Sequence, residues 1–191
     1  MTSDDYIKIF KESGALLEGH FVLTSGRHSS SYFQCAKVLQ YPKYLELFSN
    51  EIASHFQDFE IDLVISPAVG GIVIGTEVGR VMKKRTIFAE REDGKMRFRR
   101  GFNIKEKEKI LIVEDVITTG GSVKEVIQLV ESSGGVVGGV GVIVDRSSGS
   151  VTLHQNQLSL ASLEVKSYNV NEIPAELASM PIEKPGSRSL V

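Results

Sequence analysis

Apolar residues along the chain fall into short continuous runs that alternate with stretches of helical spacing. Ile61–Ile65, Thr86–Ala89, Ile110–Val113 and Val140–Val144 are such runs, the pattern of strands buried on both faces of a parallel sheet. Between them, Tyr6, Ile7, Ile9 and Phe10, then Leu45, Phe48, Ile52 and Phe56, then Val123, Val126, Ile127 and Val130 recur every three or four positions, which predicts helices. Ser3, Asp4 and Asp5 suit a helix start and Gly14 a stop, Pro42 opens the next helix, and Gly134 closes the last of these. A helix with small residues follows Pro67 and ends at Lys83, Lys84 and Arg85, where cations complement its dipole. Strands alternating with helices predict an α/β fold with a doubly wound, mainly parallel sheet. Two β-rich pieces, around Phe21–Leu23 and Tyr32–Cys35, flank Gly26 and predict a small hairpin. Leu158–Val165 reads as a strand and Pro174–Met180 as a short helix.

One stretch organises the rest. Ile110–Val113 runs into Glu114 and Asp115, then into Thr118-Thr119-Gly120-Gly121-Ser122, and only then into the helical pattern. A helix start leaves backbone N–H groups unpaired and carries partial positive charge, so it accepts a phosphate. Glycines let the backbone approach the anion, and the hydroxyls add donors. No lysine follows the glycines, so this is not a Walker loop. Two carboxylates just before the cradle repel a triphosphate but can accept from sugar hydroxyls, which points to a ribose 5-phosphate.

The segment Glu90–Phe102 is charged, contains Gly94, and has almost no apolar face. Between two core strands it is either a solvated hairpin or a functional lid. The glycine cluster Gly134–Val142 precedes a strand, so it does not form a dinucleotide-binding turn. Asp145 and Arg146 close the last core strand, on the same side as the phosphate loop if the sheet is parallel.

Composition narrows the classes. A chain of 191 residues with a formal charge of -2 fits one domain, 1–191, and gives no reason to expect nucleic acid. No apolar run approaches the ~20 residues needed to span a bilayer, and the acidic start Met1–Asp5 lacks the form of a signal peptide. The expected location is cytoplasmic, without membrane association. Cys35 is the single cysteine and reads as a packed residue, and the scattered histidines suggest no zinc site.

Val113-Glu114-Asp115-Val116-Ile117-Thr118-Thr119-Gly120-Gly121-Ser122 resembles the phosphoribosyl pyrophosphate signature of the type I phosphoribosyltransferases, and its V-I-T-T-G wording is similar to that of the orotate phosphoribosyltransferases. Gly19–Phe33 resembles the amino-terminal segment that lies over the base site in the orotate enzymes. The resemblance implies a hood made by about residues 1–60 and possibly the carboxyl-terminal tail. It implies that Glu114 and Asp115 hold the ribose hydroxyls, that Thr118, Thr119, Gly120, Gly121 and Ser122 hold the 5-phosphate, and that Val116 and Ile117 between them belong to the same substrate-binding stretch. Ala68 and Gly70, in the Pro67–Gly71 loop, would meet the pyrophosphate. Arg91 and Lys95 match the spacing of the family's flexible catalytic loop, so that Lys95, Arg91 and Asp115 are the expected catalytic residues. Arg146, Thr24, Tyr32 and Phe33 would orient the base. Magnesium is the implied cofactor, held mainly by substrate and water with no direct protein ligand. A homodimer is implied, with the lid reaching the partner's site.

The chain departs from this pattern at three places. Thr24 and Gly70 stand where many relatives have lysines, and Arg97 where many have a histidine. Backbone amides would then read the pyrophosphate at Gly70, and Arg27 or His28 would supply the charge missing at Thr24. The function implied is transfer of the phosphoribosyl group to orotate, giving orotidine 5'-monophosphate. The alternatives are a purine or xanthine phosphoribosyltransferase, against which the Phe21–Phe33 segment argues, and a non-catalytic regulator that senses phosphoribosyl pyrophosphate.

Overall fold

The structure is a computed structural model and describes residues 1–23 and 25–184. From the amino end run α1 (Ser3–Glu12), β1 (Leu16–Val22), β2 (His28–Phe33), α2 (Cys35–Leu39) and α3 (Pro42–His55). Then come β3 (Leu63–Pro67), α4 (Gly70–Met82), β4 (Arg85–Glu92), β5 (Lys95–Phe98), β6 (Lys109–Ile117), α5 (Gly121–Ser132) and β7 (Val136–Asp145). The chain closes with β8 (Gln157–Ser162), β9 (Ser167–Tyr168), α6 (Ala175–Ala178) and β10 (Ile182–Glu183).

A six-stranded sheet has the order β5-β4-β3-β6-β7-β8, parallel throughout except for the antiparallel edge pair β4–β5. Its central residues Ile110 to Val113 are fully buried, as continuous apolar runs covered on both faces must be. One face carries a cluster that includes Phe10 of α1, Phe48 and Ile52 of α3 with Phe56 just after it, and Ile74 and Val78 of α4. The other packs Val123, Val126 and Val130 of α5 against Ile65, Ile112 and Val142. Each large side chain so removed from water contributes about 1.5–3 kcal/mol.

The expected sheet is present: β4, β6 and β7 run longer than expected, β3 is shifted two residues later, and β8 ends earlier. The glycine cluster belongs to β7, because a Cβ at Gly139 would come within 2.3 Å of the Phe56 ring and one at Gly141 within 2.8 Å of Ile52. These glycines let α3 lie close on the sheet. The charged segment after Ala89 is a hairpin, with Arg91 opposite Met96 and Glu92 opposite Lys95. Its turn residues Asp93 and Gly94 both have positive φ, 50° and 78°, the signature of a type I′ turn.

A second, four-stranded sheet has the order β10-β1-β2-β9. Residues near the carboxyl terminus flank the amino-terminal hairpin on both sides. The boundary expected at about residue 60 therefore shifts: α1 and α3 pack on the large sheet, and residues 16–33 with 167–183 make the small one. The hairpin strands also start earlier than expected, and Cys35 opens α2 instead of ending a strand. That helix has only five residues, too few to display a period. Arg27 ties the hairpin to the later chain, donating from Nε to Ser167 Oγ at 2.9 Å, from Nη1 to Asn169 Oδ1 at 2.6 Å and from Nη2 to the Ser167 carbonyl at 2.6 Å.

Candidate active site

The order of the large sheet reverses between β3 and β6, so their carboxyl ends diverge into separate loops and leave a crevice, the usual ligand position in such sheets. Two helices begin there. Neither α4, after Val69, nor α5, after Gly120, receives a hydrogen bond from a capping side chain, so their first N–H groups remain available. Gly120 has φ of 71°, and a Cβ there would stand 2.7 Å from Leu153 Cδ2. Only glycine fits this position without strain. Thr118, Thr119 and Ser122 are exposed at the loop. With Arg91, Glu114, Val116, Ile117 and Gly121 they line a cavity of about 220 Å³.

The acid pair closes one side. Strand β6 runs past Val113 to Ile117, which makes Glu114, Asp115 and Val116 strand residues. Glu114 is buried, and its Oε1 accepts the Asp115 N–H at 3.1 Å, while Asp115 Oδ1 accepts the Val116 N–H at 2.9 Å. Burial raises the Glu114 pKa well above the usual carboxylate range, and the neighbouring Asp115 charge adds to the effect. Burial raises that of Asp115 too. Among the described residues no lysine or arginine forms an ion pair with either. Cys35 lies behind them; burial pushes its thiol up, and the charges of Asp115 and Glu114 push it further. It is a packed, inert thiol.

The loop from β3 to α4 touches this pair. A Cβ on Gly70 would lie 2.7 Å from Asp115 Oδ2, and one on Gly71 2.8 Å from Glu114 Oε1. The peptide between Ala68 and Val69 is cis, and the Ala68 N–H donates to the Ala89 carbonyl at 2.8 Å.

Arg91 reaches the cradle of its own chain. Its guanidinium donates to Glu125 Oε1 of α5 at 2.9 Å and to the Gly94 carbonyl at 2.8 Å. Lys95 does not line the cradle; it lies in a neighbouring groove with Gly94, Gln128 and Leu129. Arg97 and Arg99 pair with Glu92, and Arg100 pairs with Glu90, so these hairpin arginines are engaged within their own element.

Arg146 sits at the end of β7, its N–H bonded to the Ile117 carbonyl at 2.8 Å. Its Nε is closed from solvent without a partner among the described residues. Burial lowers its pKa, and the Tyr32 phenol is the neighbour that acts in the opposite direction. Tyr32 of the small sheet is thus among the groups whose charge reaches Arg146. Phe33 is a core residue instead: its ring packs on Phe10 at 4.9 Å, because successive strand residues face opposite ways. The contact expected from Thr24 lies outside the described residues.

Neither expected substitute for the Thr24 charge is free. Arg27 is spent on Ser167 and Asn169, and His28 is buried with its Nδ1 2.6 Å from His20 Nε2. This histidine pair, brought together across the hairpin, had no signal in the sequence. Among the described residues no group of three or more His, Cys, Asp or Glu gathers at a metal-binding distance.

The acid pair of β6 and the uncapped Thr-Gly start of α5 lie within a phosphoribosyl transferase domain: the sequence model of that family matches residues 38–179. The chain is 59% identical to the orotate phosphoribosyltransferase of Chlorobium phaeobacteroides (strain BS1), over 100% of this chain and 98% of that one. The crystal structure of orotate phosphoribosyltransferase from Aeropyrum pernix superposes with a TM-score of 0.67 at 26% identity, covering 82% of this chain and 93% of that one. An adenine phosphoribosyltransferase from Thermoanaerobacter pseudethanolicus reaches 0.62 at 18% identity, covering 70% and 88%; this likeness concerns the fold alone. The chain belongs to the phosphoribosyl transferase domain family, within its orotate phosphoribosyltransferase branch.

Proposed function

We propose that the chain transfers the phosphoribosyl group of phosphoribosyl pyrophosphate to orotate, giving orotidine 5'-monophosphate and pyrophosphate on the route to UMP. Identity of 59% over essentially the whole chain to an enzyme of that name supports the reaction. The uncapped start of α5, in one cavity with Glu114, is the observation that carries the site.

In this reading the N–H groups and hydroxyls of Thr118–Ser122 take the 5-phosphate, and Glu114 and Asp115 accept from the ribose diol. The start of α4 at Gly70 and Gly71 offers amides to the pyrophosphate, which suits a loop without a lysine. Arg91 and Lys95 steady the leaving group, and Arg146 with Tyr32 orients orotate. The ring nitrogen of orotate attacks the anomeric carbon as the carbon–oxygen bond to pyrophosphate breaks. An oxocarbenium-like sugar needs charge placement and water exclusion, and no protein nucleophile enters. A magnesium ion on the pyrophosphate would neutralise charge on the leaving group, held chiefly by substrate oxygens and water. Glu114 and Asp115, buried and without a paired cation, fit contacts to its waters or to the diol.

We further propose a cytoplasmic homodimer. Exposed Val69 and Val73 beside Asp115 supply an apolar face for a second copy, and among the described residues no helix is long and apolar enough to cross a membrane. Incubation with phosphoribosyl pyrophosphate and a panel of bases tests the activity: loss of orotate absorbance, with no reaction of adenine, guanine or xanthine, is expected. Reaction with a purine alone would refute the assignment. Light scattering at two concentrations tests the dimer.

A further inference from the structure

A carboxylate stands in the wall of the phosphate cradle. The cavity bounded by residues 118–122 is also lined by Glu125, together with Arg91. Glu125 lies beyond the first turn of α5, and the start of that helix receives no hydrogen bond from a capping side chain. Its ion-pair partner among the described residues is Arg91, whose Nη2 donates to Oε1 at 2.9 Å across 34 positions of sequence. Both side chains stay partly exposed, at 46% for Arg91 and 35% for Glu125, and pairs of that kind contribute little to the fold. A guanidinium shared with a carboxylate attracts a phosphate less than a free one does, and the carboxylate repels the phosphate directly.

We propose that Glu125 sets the affinity of the cradle for phosphate: it neutralises Arg91 and competes with the ligand's phosphate for that guanidinium. The inference rests on the phosphoribosyl reading above and concerns the same cradle. Arg91 does not depend on Glu125 for its place, because its Nη1 also donates to the Gly94 carbonyl of its own hairpin at 2.8 Å. Substrate and product carry the same 5-phosphate, so the competition weakens both, and orotidine 5'-monophosphate leaves a cradle that holds it below full strength. Glu125 has no part in breaking or forming a bond.

Glu125→Gln keeps an acceptor for the Arg91 N–H and removes only the charge. Calorimetric titration of the full chain with ribose 5-phosphate should give a Kd about three- to fivefold lower than wild type, the order of one partly exposed charge pair. The inhibition constant of orotidine 5'-monophosphate should fall by the same factor. Glu125→Ala should also bind ribose 5-phosphate more tightly than wild type. Glu131→Gln makes the same change in net charge at the exposed far end of α5 and should leave both constants as in wild type. An unchanged or higher Kd in either Glu125 variant, or an equal gain in Glu131→Gln, overturns the proposal. A wild-type chain that binds no ribose 5-phosphate refutes the phosphoribosyl reading and the proposal together. Wild-type turnover of orotate, measured in parallel, tests the choice of base separately.

Discussion

Gly70 and Asp115 are pressed together where β3 and β6 end: any side chain on Gly70 would begin 2.7 Å from Asp115 Oδ2. The loop that offers amides to the crevice and the carboxylate at its wall are therefore one packed unit. Gly70→Lys, which restores the residue common in relatives, should displace Asp115 and raise the KM for phosphoribosyl pyrophosphate about tenfold or more. Initial rates at varied phosphoribosyl pyrophosphate check this, and an unchanged KM would show that the crevice tolerates a side chain there.

The acid pair predicts a pH dependence with a definite sign. A carboxyl whose pKa is higher folded than unfolded binds more protons when folded, so stability falls as pH rises from its unfolded value through its folded one. Glu114 and Asp115 are both raised, chiefly by burial. Glu114→Gln should therefore be more stable than wild type at pH 8, by about 2–4 °C in melting temperature for each kcal/mol relieved, and indistinguishable at pH 4. It should also bind ribose 5-phosphate more weakly. Melting curves across pH and calorimetric titration test both halves.

Lys95 and Arg91 should separate in their effects. Arg91 lines the cradle and ties the hairpin to Glu125, so Arg91→Ala should raise the KM for phosphoribosyl pyrophosphate. Lys95 lies off the cradle. Lys95→Ala should instead lower kcat, by about a hundredfold if it stabilises the leaving group, with little change in ribose-phosphate binding. Normal turnover would remove it from the chemistry.

Gly139 supports the site from a distance by letting α3 lie close on β7. Gly139→Ala should destabilise the fold by about 1–3 kcal/mol, as overpacking does, since its Cβ would meet the Phe56 ring. Urea unfolding measures the loss.

How much of this could be read from sequence depended on how local each feature is. The buried strands, the loop between β6 and α5 and the stop at Gly134 are set by neighbouring residues and were legible. The small sheet was only half visible, because β9 and β10 have two residues each and acquire their strand character by pairing with the hairpin. Long-range pairs left no local trace: Arg27 with Ser167, His20 with His28, Arg91 with Glu125. Phe33 shows the opposite limit, since the motif that contains it does not say which side of the strand its ring takes.

Crystals soaked with ribose 5-phosphate address the central claim most directly. The account predicts the phosphate on the amides of residues 118–122 and the diol on Glu114 and Asp115. A sugar phosphate bound elsewhere, with that loop vacant, would contradict it.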